Sequence, residues 1–269
     1  MKRFHSIQIL VLVAVLLASL ATEAAPSAVV ADWTFNNTLN DVSGYGNNLM
    51  VLTGAVSYVS GPFLGQKALQ LNGDTLLTTT RQTFPVGVPY GNNPFTVALY
   101  VKASPTTSLY AGLIGYGSND TNRMESLRLG TETASSATSV TDYSWNNDTT
   151  ASLPAGQSFT NAWHSIVATF NGSLESIYLD GSLAASHSGM TLNVGTNWLY
   201  IGGAVAAHDF TGALADVSIA NFAATPSQIA SYQTTGQLIF ATPSPVPEPA
   251  TLALVGLGVA SFRLIRRRA

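Results

Sequence analysis

The groups in this chain that could carry chemistry are its carboxylates, histidines and aromatic residues, and their spacing favours binding over catalysis. Cleaving a glycosidic bond takes two carboxylates ~5 to 10 Å apart across the bond, most simply held at alternate positions of one strand. No such pair occurs, and Glu125, Glu132 and Glu175 stand isolated. Cysteine is absent, which excludes thiol nucleophiles, Cys-ligated zinc and iron-sulfur clusters. There is no nucleophile-elbow serine and no histidine pair at metal spacing. His164, beside Trp163 in a predicted strand, reads as a packed or hydrogen-bonded structural residue, and His187 and His208 fall in loops.

A better candidate is the stretch in which Tyr143 and Trp145 alternate with Asp142, Ser144, Asn146, Asn147 and Asp148. Aromatic rings stack on the faces of sugars, while amides and carboxylates take their hydroxyls. Tyr143, Trp145, Asn146 and Asn147 are therefore the expected ligand-binding residues. The competing reading packs Trp145 into a core and leaves the Asn and Asp residues as a solvated loop.

The elements that must position these residues are short. Apolar or alternating runs punctuated by Gly, Asn and Asp predict strands near Ala28 to Phe35, Leu49 to Thr53, Ala68 to Leu71, Phe95 to Lys102 and Ala111 to Tyr116. Further strands are predicted near Ser126 to Leu129, Trp163 to Phe170, Leu174 to Asp180, Leu199 to Ile201 and Gly212 to Ile219. Asn171-Gly172 and Asp180-Gly181 supply the positive φ that tight hairpins need. One short helix is predicted after Thr225, with Pro226 at its first position, Gln228 completing a capping box, Ile229 and Tyr232 following, and Gly236 beyond. The pattern implies an all-β fold, an antiparallel two-sheet jelly-roll sandwich.

Charge separates this body from its ends. Six of the eleven basic residues are terminal: Lys2, Arg3, Arg263, Arg266, Arg267 and Arg268. Residues 25 to 242 hold five basic and twelve acidic residues, net -7. An acidic body with scattered cations cannot neutralise a row of phosphates, so no nucleic-acid partner is expected. Lys2 and Arg3, the apolar run Ile9 to Ala18 and the small residues Thr22, Ala24 and Ala25 have the layout of a secretory signal peptide, residues 1–24. A domain of the size that remains, 25–240, buries enough surface to fold without disulfides.

From Thr242 the composition changes. Pro243, Pro245, Pro247 and Pro249 alternate with Ser244, Val246 and Glu248, an extended tether within linker 241–249. An apolar segment, 250–265, follows as a marginal membrane-spanning helix, and 266–269 form a basic tail that should stay cytoplasmic. The order Val246, Pro247, Glu248, Pro249, apolar segment and terminal Arg266, Arg267, Arg268 resembles the PEP-CTERM sorting signal of exopolysaccharide-producing Gram-negative bacteria. That resemblance implies an exosortase as partner, inner-membrane anchoring with the domain outside, and later release to the cell surface or extracellular matrix.

A second resemblance lies in the body. Trp163 to Phe170, Asn171-Gly172, and Tyr178 to Gly181 look like the central hairpin of laminin-G-like, concanavalin A-type domains. Ile201 to Gly203, Phe210 to Ile219, the opening Trp33 to Asn36 and Asp41 to Gly44 resemble other parts of them, and Ser104 to Phe159 does so only loosely. This implies Trp163 as a core residue and, since many such domains hold calcium at the sandwich rim, Ca2+ as a candidate cofactor with Asp32, Asp41, Asp209 and Asp216 as available donors. The expected function is a non-enzymatic, lectin-like surface protein that binds extracellular polysaccharide. An adhesive protein with protein partners is the alternative, and a polysaccharide-active enzyme would require carboxylates brought together by the fold.

Overall fold

The computed structural model of the protein describes residues 27–80, 83–131, 135–160, 162–203 and 210–238. The predicted signal peptide, the Pro-Glu-Pro linker, the hydrophobic segment and the arginine tail lie outside the described residues, as do Glu132, His208 and Asp209. Among the described residues, no helix is long and apolar enough to cross a membrane.

The elements run β1 (Val29–Trp33), β2 (Leu49–Thr53), β3 (Ser57–Ser60), β4 (Lys67–Asn72), β5 (Leu76–Thr79), β6 (Phe95–Ala103), β7 (Ala111–Gly117) and β8 (Met124–Leu129). There follow β9 (Ser139–Asp142), β10 (Thr149–Ser152), β11 (His164–Phe170), β12 (Leu174–Leu179), β13 (Ser182–Ser188), β14 (Trp198–Ile201), β15 (Thr211–Ala220) and one helix, α1 (Pro226–Thr235). They form two antiparallel sheets. One is ordered β13-β12-β11-β6-β15-β4-β3 with β1 also on β15, and the other β10-β9-β8-β7-β14-β5-β2. The expected two-sheet sandwich is what forms.

Alternation along each strand explains the layering. In β6, Phe95, Val97, Leu99 and Val101 enter the core between the sheets, while Ala98 and Tyr100 turn to the other side. In β11, Ile166, Ala168 and Phe170 face inward and Val167 outward. Trp33 is the fully buried tryptophan of the inter-sheet core, its Nε1 donating to the Asn47 carbonyl at 2.8 Å. Trp163 is not a core residue in that sense, contrary to what the resemblance implied. It precedes β11, is only half-buried, and packs at the fringe of the second apolar cluster, outside the sandwich interior.

That second cluster is the outer face of the eight-stranded sheet. Ala68, Ala98, Ala213, Ala215 and Ala220 present a shallow surface on which α1 lays Ile229 and Tyr232. The helix ends as its residues dictate. Thr225 caps it in a full capping box with Gln228, Pro226 sits in the first turn, and Gly236 closes it at φ 70°. The β11–β12 hairpin turns at Gly172, φ 101°, with Asn171 Oδ1 accepting from the Ser173 and Leu174 amides. Asp180 and Gly181, φ 49° and 77°, turn β12 into β13.

Five strands escape the sequence pattern: β3, β5, β9, β10 and β13. They are short or polar, and β3, β10 and β13 are sheet edges. Edge strands carry polar and small residues that blunt further pairing, which erases the apolar alternation that marks central strands.

Candidate functional site

Among the described residues, no helix covers the outer face of the seven-stranded sheet. On β14, Leu199 and Ile201 point into the core, so Trp198 and Tyr200 stand on the outer face. Their rings stack with centroids 5.2 Å apart and planes at 19°, both half-buried. The neighbouring β7 places Gly117 opposite Trp198 and Gly115 opposite Tyr200, so the sheet beside the rings carries no side chains. Next comes β8, where Ser126 and Arg128 face outward between inward Leu127 and Leu129.

Beyond β8 lies the chain's other aromatic pair. Tyr143 follows Asp142, the last residue of β9, and its amide donates to the Ser126 carbonyl at 2.8 Å. Its ring lies 3.9 Å from the Arg128 guanidinium carbon, a cation–π contact. Arg128 Nε also donates to Ser126 Oγ at 3.2 Å, and the side chain is 2% exposed. Burial lowers the guanidinium's proton affinity, and Tyr143 and Asp148 act in the opposite sense. Tyr143 and Trp145 rings are 6.3 Å apart at 44°. Three strand spacings of ~4.8 Å separate β14 from β9, so the two aromatic pairs stand about 14 Å apart across the face.

The loop carrying Trp145 is held by its own polar groups. Trp145 and Asn146 adopt φ 60° and 132°, values a large side chain takes only when its surroundings compel it. Asp148 Oδ1 accepts from the amides of both Ser144 and Trp145, each at 3.1 Å, and so imposes the turn. Asn147 Nδ2 donates to Asn122 Oδ1 at 2.8 Å and Asn122 N to the Ser144 carbonyl at 2.9 Å, tying the loop to the β7–β8 connection. Of the four residues expected from sequence, Tyr143 and Trp145 are thus brought together with Asn146 exposed beside them, while Asn147 spends its amide on Asn122. Trp198, Tyr200 and Arg128 were missed. The Trp-Leu-Tyr-Ile alternation was the available signal for the first two.

The carboxylates correct the sequence reading. Glu125 and Glu175 are not isolated: with Asp142 they meet in the sandwich interior, with one carboxylate oxygen from each within 4.8 Å of the others. They are 1%, 0% and 0% exposed. The signal was invisible because the three sit on β8, β9 and β12, in two different sheets. The group lies between the sheets rather than in a groove, and its oxygens are closer than the ~5 Å or more that straddles a glycosidic bond, so it does not restore a hydrolytic pair.

Of the aspartates available as calcium donors, Asp32, Asp41 and Asp216 are neighbours but form no three-ligand cluster, and Asp209 lies outside the described residues. Among the described residues the trio above is the one three-residue cluster of potential metal ligands. Asp41 is occupied by backbone amides, its carboxylate accepting from Asp32, Ser43 and Asn47 at 2.8 to 3.0 Å. Asp32 accepts from Ser218 Oγ at 3.1 Å. Burial, opposed by that hydrogen bond, raises its pKa to about 6, and burial with the nearby Asp32 raises that of Asp216 to about 7. His164 is bound on both sides, by Asp180 Oδ2 at 2.8 Å and the Ser158 carbonyl at 3.2 Å. A separate 630 Å³ cleft lined by Phe84, Tyr90, Asn93, Asn171 and Phe222 is mainly apolar.

Comparison with known proteins follows the same lines. Residues 73–230 match the family described as the concanavalin A-like lectin/glucanases superfamily, including the middle segment that resembles it only loosely by eye. Residues 245–268 match the PEP-CTERM protein-sorting motif. No curated protein matches the chain. Among solved structures, the chain is similar to domain 4 of AbnA, a GH43 extracellular arabinanase from Geobacillus stearothermophilus, in complex with arabinotriose. That similarity has 20% identity over 77% of this chain and 98% of that one, with a TM-score of 0.60. It is also similar to the binding domain of Paraclostridial Mosquitocidal Protein 1, at 16% identity over 77% of this chain and 52% of that one, TM-score 0.59. A third is the binding domain of Botulinum Neurotoxin DC in complex with SialylT, at 16% identity over 78% and 52%, TM-score 0.56. The chain spans about half the length of the two toxin domains, and at these identities the likeness is one of fold. The two-sheet sandwich and a family match over more than half the sequence together make this chain a member of the concanavalin A-like lectin/glucanases superfamily, followed by a PEP-CTERM sorting motif.

Proposed function

We propose that the sandwich is a non-catalytic carbohydrate-binding module that works outside the cell, with the outer face of the seven-stranded sheet as its binding surface. The observation that carries this is the pair of aromatic platforms, Trp198 with Tyr200 and Tyr143 with Trp145, on either side of a strand bearing Gly115 and Gly117. Rings left half-exposed on a sheet face contribute little to folding and offer flat apolar area to the C–H faces of sugars. The exposed Asn146 beside Trp145 supplies an amide for sugar hydroxyls, and the buried Arg128 holds Tyr143 in place from beneath. Similar solved structures, one in complex with arabinotriose and two that are toxin binding domains, are consistent with binding rather than hydrolysis.

The natural ligand on this reading is extracellular polysaccharide. The experiment is titration of the protein with purified exopolysaccharide and a panel of glycans. Binding should be saturable and reduced at least tenfold in both Trp198→Ala and Trp145→Ala. Absence of binding to every polysaccharide, with one protein captured instead, would turn the reading toward adhesion.

The tail completes the proposal. The matched motif at 245–268 suits recognition by an exosortase in a Gram-negative inner membrane, after signal-peptide export and with the apolar segment as a temporary anchor. Mass spectrometry of the mature protein decides this part, and a chain still ending at Ala269 would sink it.

A further inference from the structure

The inner side of the strands that carry the proposed binding face holds a group of oxygens that the sugar reading does not use. Six carboxylate oxygens of Glu125, Asp142 and Glu175 are buried, and none accepts a well-formed hydrogen bond from a described protein donor. Their closest approaches are to one another and to Thr149 Oγ1. Burial pushes all three carboxyl groups up; Asp142 adds to this for Glu125 and Glu175, while its contacts with them oppose its own rise. Among the described residues the one ion pair is His164 with Asp180, elsewhere in the sandwich. Arg128 lies on the opposite face of β8, and His187 stands across from Glu175 on the edge strand β13. Three carboxylates in an apolar interior without a countercharge are not tenable, so something must neutralise them.

Two further hydroxyls point to what that is. Tyr116 is paired directly opposite Glu125, and Thr149 directly opposite Asp142, so both face the same interior space. They are 0% and 5% exposed; the Tyr116 hydroxyl has no hydrogen-bond partner among the described residues, and Thr149 Oγ1 approaches only the Glu175 carboxyl. The result is five side chains that offer oxygen, with the half-buried His187, paired opposite Glu175, at the open edge of the same space. All-oxygen donor sets with several carboxylates select hard divalent cations. The 4.8 Å limit on separation of the carboxylate oxygens is about twice a Ca–O distance of ~2.4 Å, the most that two ligands of one calcium can be apart. Mg2+, at ~2.0–2.1 Å and reluctant to give up its waters, fits a dry interior less well.

We propose that Glu125, Asp142 and Glu175, assisted by Thr149 and Tyr116, form a buried Ca2+ site that fastens β8, β9 and β10 of one sheet to β12 of the other. The contact is structural: β10 already packs against β12 and β13 at that edge, and the ion closes it. It also lies directly beneath the proposed sugar face, since Asp142 precedes Tyr143 and Glu125 precedes Ser126. The site does not rest on the sugar reading, and its test uses no saccharide.

The test is made on the full chain, purified in mild detergent, by metal analysis and thermal unfolding in about 1 mM CaCl2, MgCl2 or EDTA. About one calcium per chain is expected, with Tm raised roughly 5 to 10 °C over EDTA and much less by magnesium. Asp142→Asn should lose both the bound calcium and the thermal response. A wild-type chain that retains no calcium and melts identically in CaCl2 and EDTA overturns the proposal, with protons then the neutralising species. A calcium response undiminished in Asp142→Asn overturns it equally, because the ion then sits elsewhere. Should Asp142→Asn fail to fold, Glu175→Gln replaces it, and the wild-type metal content and thermal response decide the matter by themselves.

Discussion

The two sheets present opposite kinds of outer face. On the eight-stranded sheet the outward positions are alanines, Ala68, Ala98, Ala213, Ala215 and Ala220, and α1 covers them with Ile229 and Tyr232. On the seven-stranded sheet the outward positions around β14, β7 and β8 hold Trp198, Tyr200, Arg128 and two glycines, and the only helix among the described residues is elsewhere. Small side chains let a helix approach closely, whereas on the other sheet the half-exposed rings of Trp198 and Tyr200 stand out beside buried Gly115, Gly117, Ser126 and Arg128. The helix-covered face is thus finished within the fold, and the aromatic face is the one proposed to take a ligand.

The comparison breaks most easily at Tyr232. This side chain is fully buried, stacks on Tyr100 at 5.3 Å and donates to the Asp216 carbonyl at 2.6 Å. Tyr232→Ala should cost about 3–5 kcal/mol, read as a fall in urea midpoint at constant m. Trp198→Ala should leave stability within about 1 kcal/mol yet weaken polysaccharide binding by about 2 kcal/mol, roughly thirtyfold, in calorimetric titration. If it destabilises the chain as Tyr232→Ala does, the aromatic face is core and the distinction between the two faces collapses.

A third effect is expected from the helix-covered side. Asp32 and Asp216, with pKa values of about 6 and about 7, hold their protons to higher pH in the folded than in the unfolded chain. Their contribution to stability is therefore complete below about pH 4 and is lost as pH rises through 6 and 7. Urea midpoints should fall between pH 5 and pH 8 by the equivalent of at most about 4 kcal/mol. Asp216→Asn, which tolerates the left-handed φ of 47° at that position, should flatten much of that slope. A slope unchanged in the variant would remove Asp216 as its source. The smallest effect is expected at the helix end, where Thr225→Ala removes the capping box for about 1 kcal/mol in the same assay.

Legibility differed between these regions for a physical reason. The helix was readable because Thr225, Pro226, Gln228 and Gly236 act through bonds within one turn of themselves. The hairpins at Asn171-Gly172 and Asp180-Gly181 were readable because positive φ is a property of single residues. Central strands such as β6 and β11 announce their core face by alternation, while β9 and β10 do not, being short and rich in Ser and Thr. The site was only half legible. Tyr143 and Trp145 are near neighbours in sequence, but the aromatic pair that faces them lies more than fifty residues away on β14, inserted between β7 and β5.

From the sequence alone came the sandwich class, the capped helix, the two tight turns and the sorting motif at the C-terminal end, all of them properties of contiguous residues. Strand order decided the rest. By setting β14 beside β7 it opposed two aromatic pairs across one face, and by packing β12 under β8 and β9 it gathered Glu125, Asp142 and Glu175, three carboxylates that in the sequence stand apart. Alternation and turn preference say which way a side chain points, but which strand lies opposite it depends on long-range pairing that no local pattern encodes.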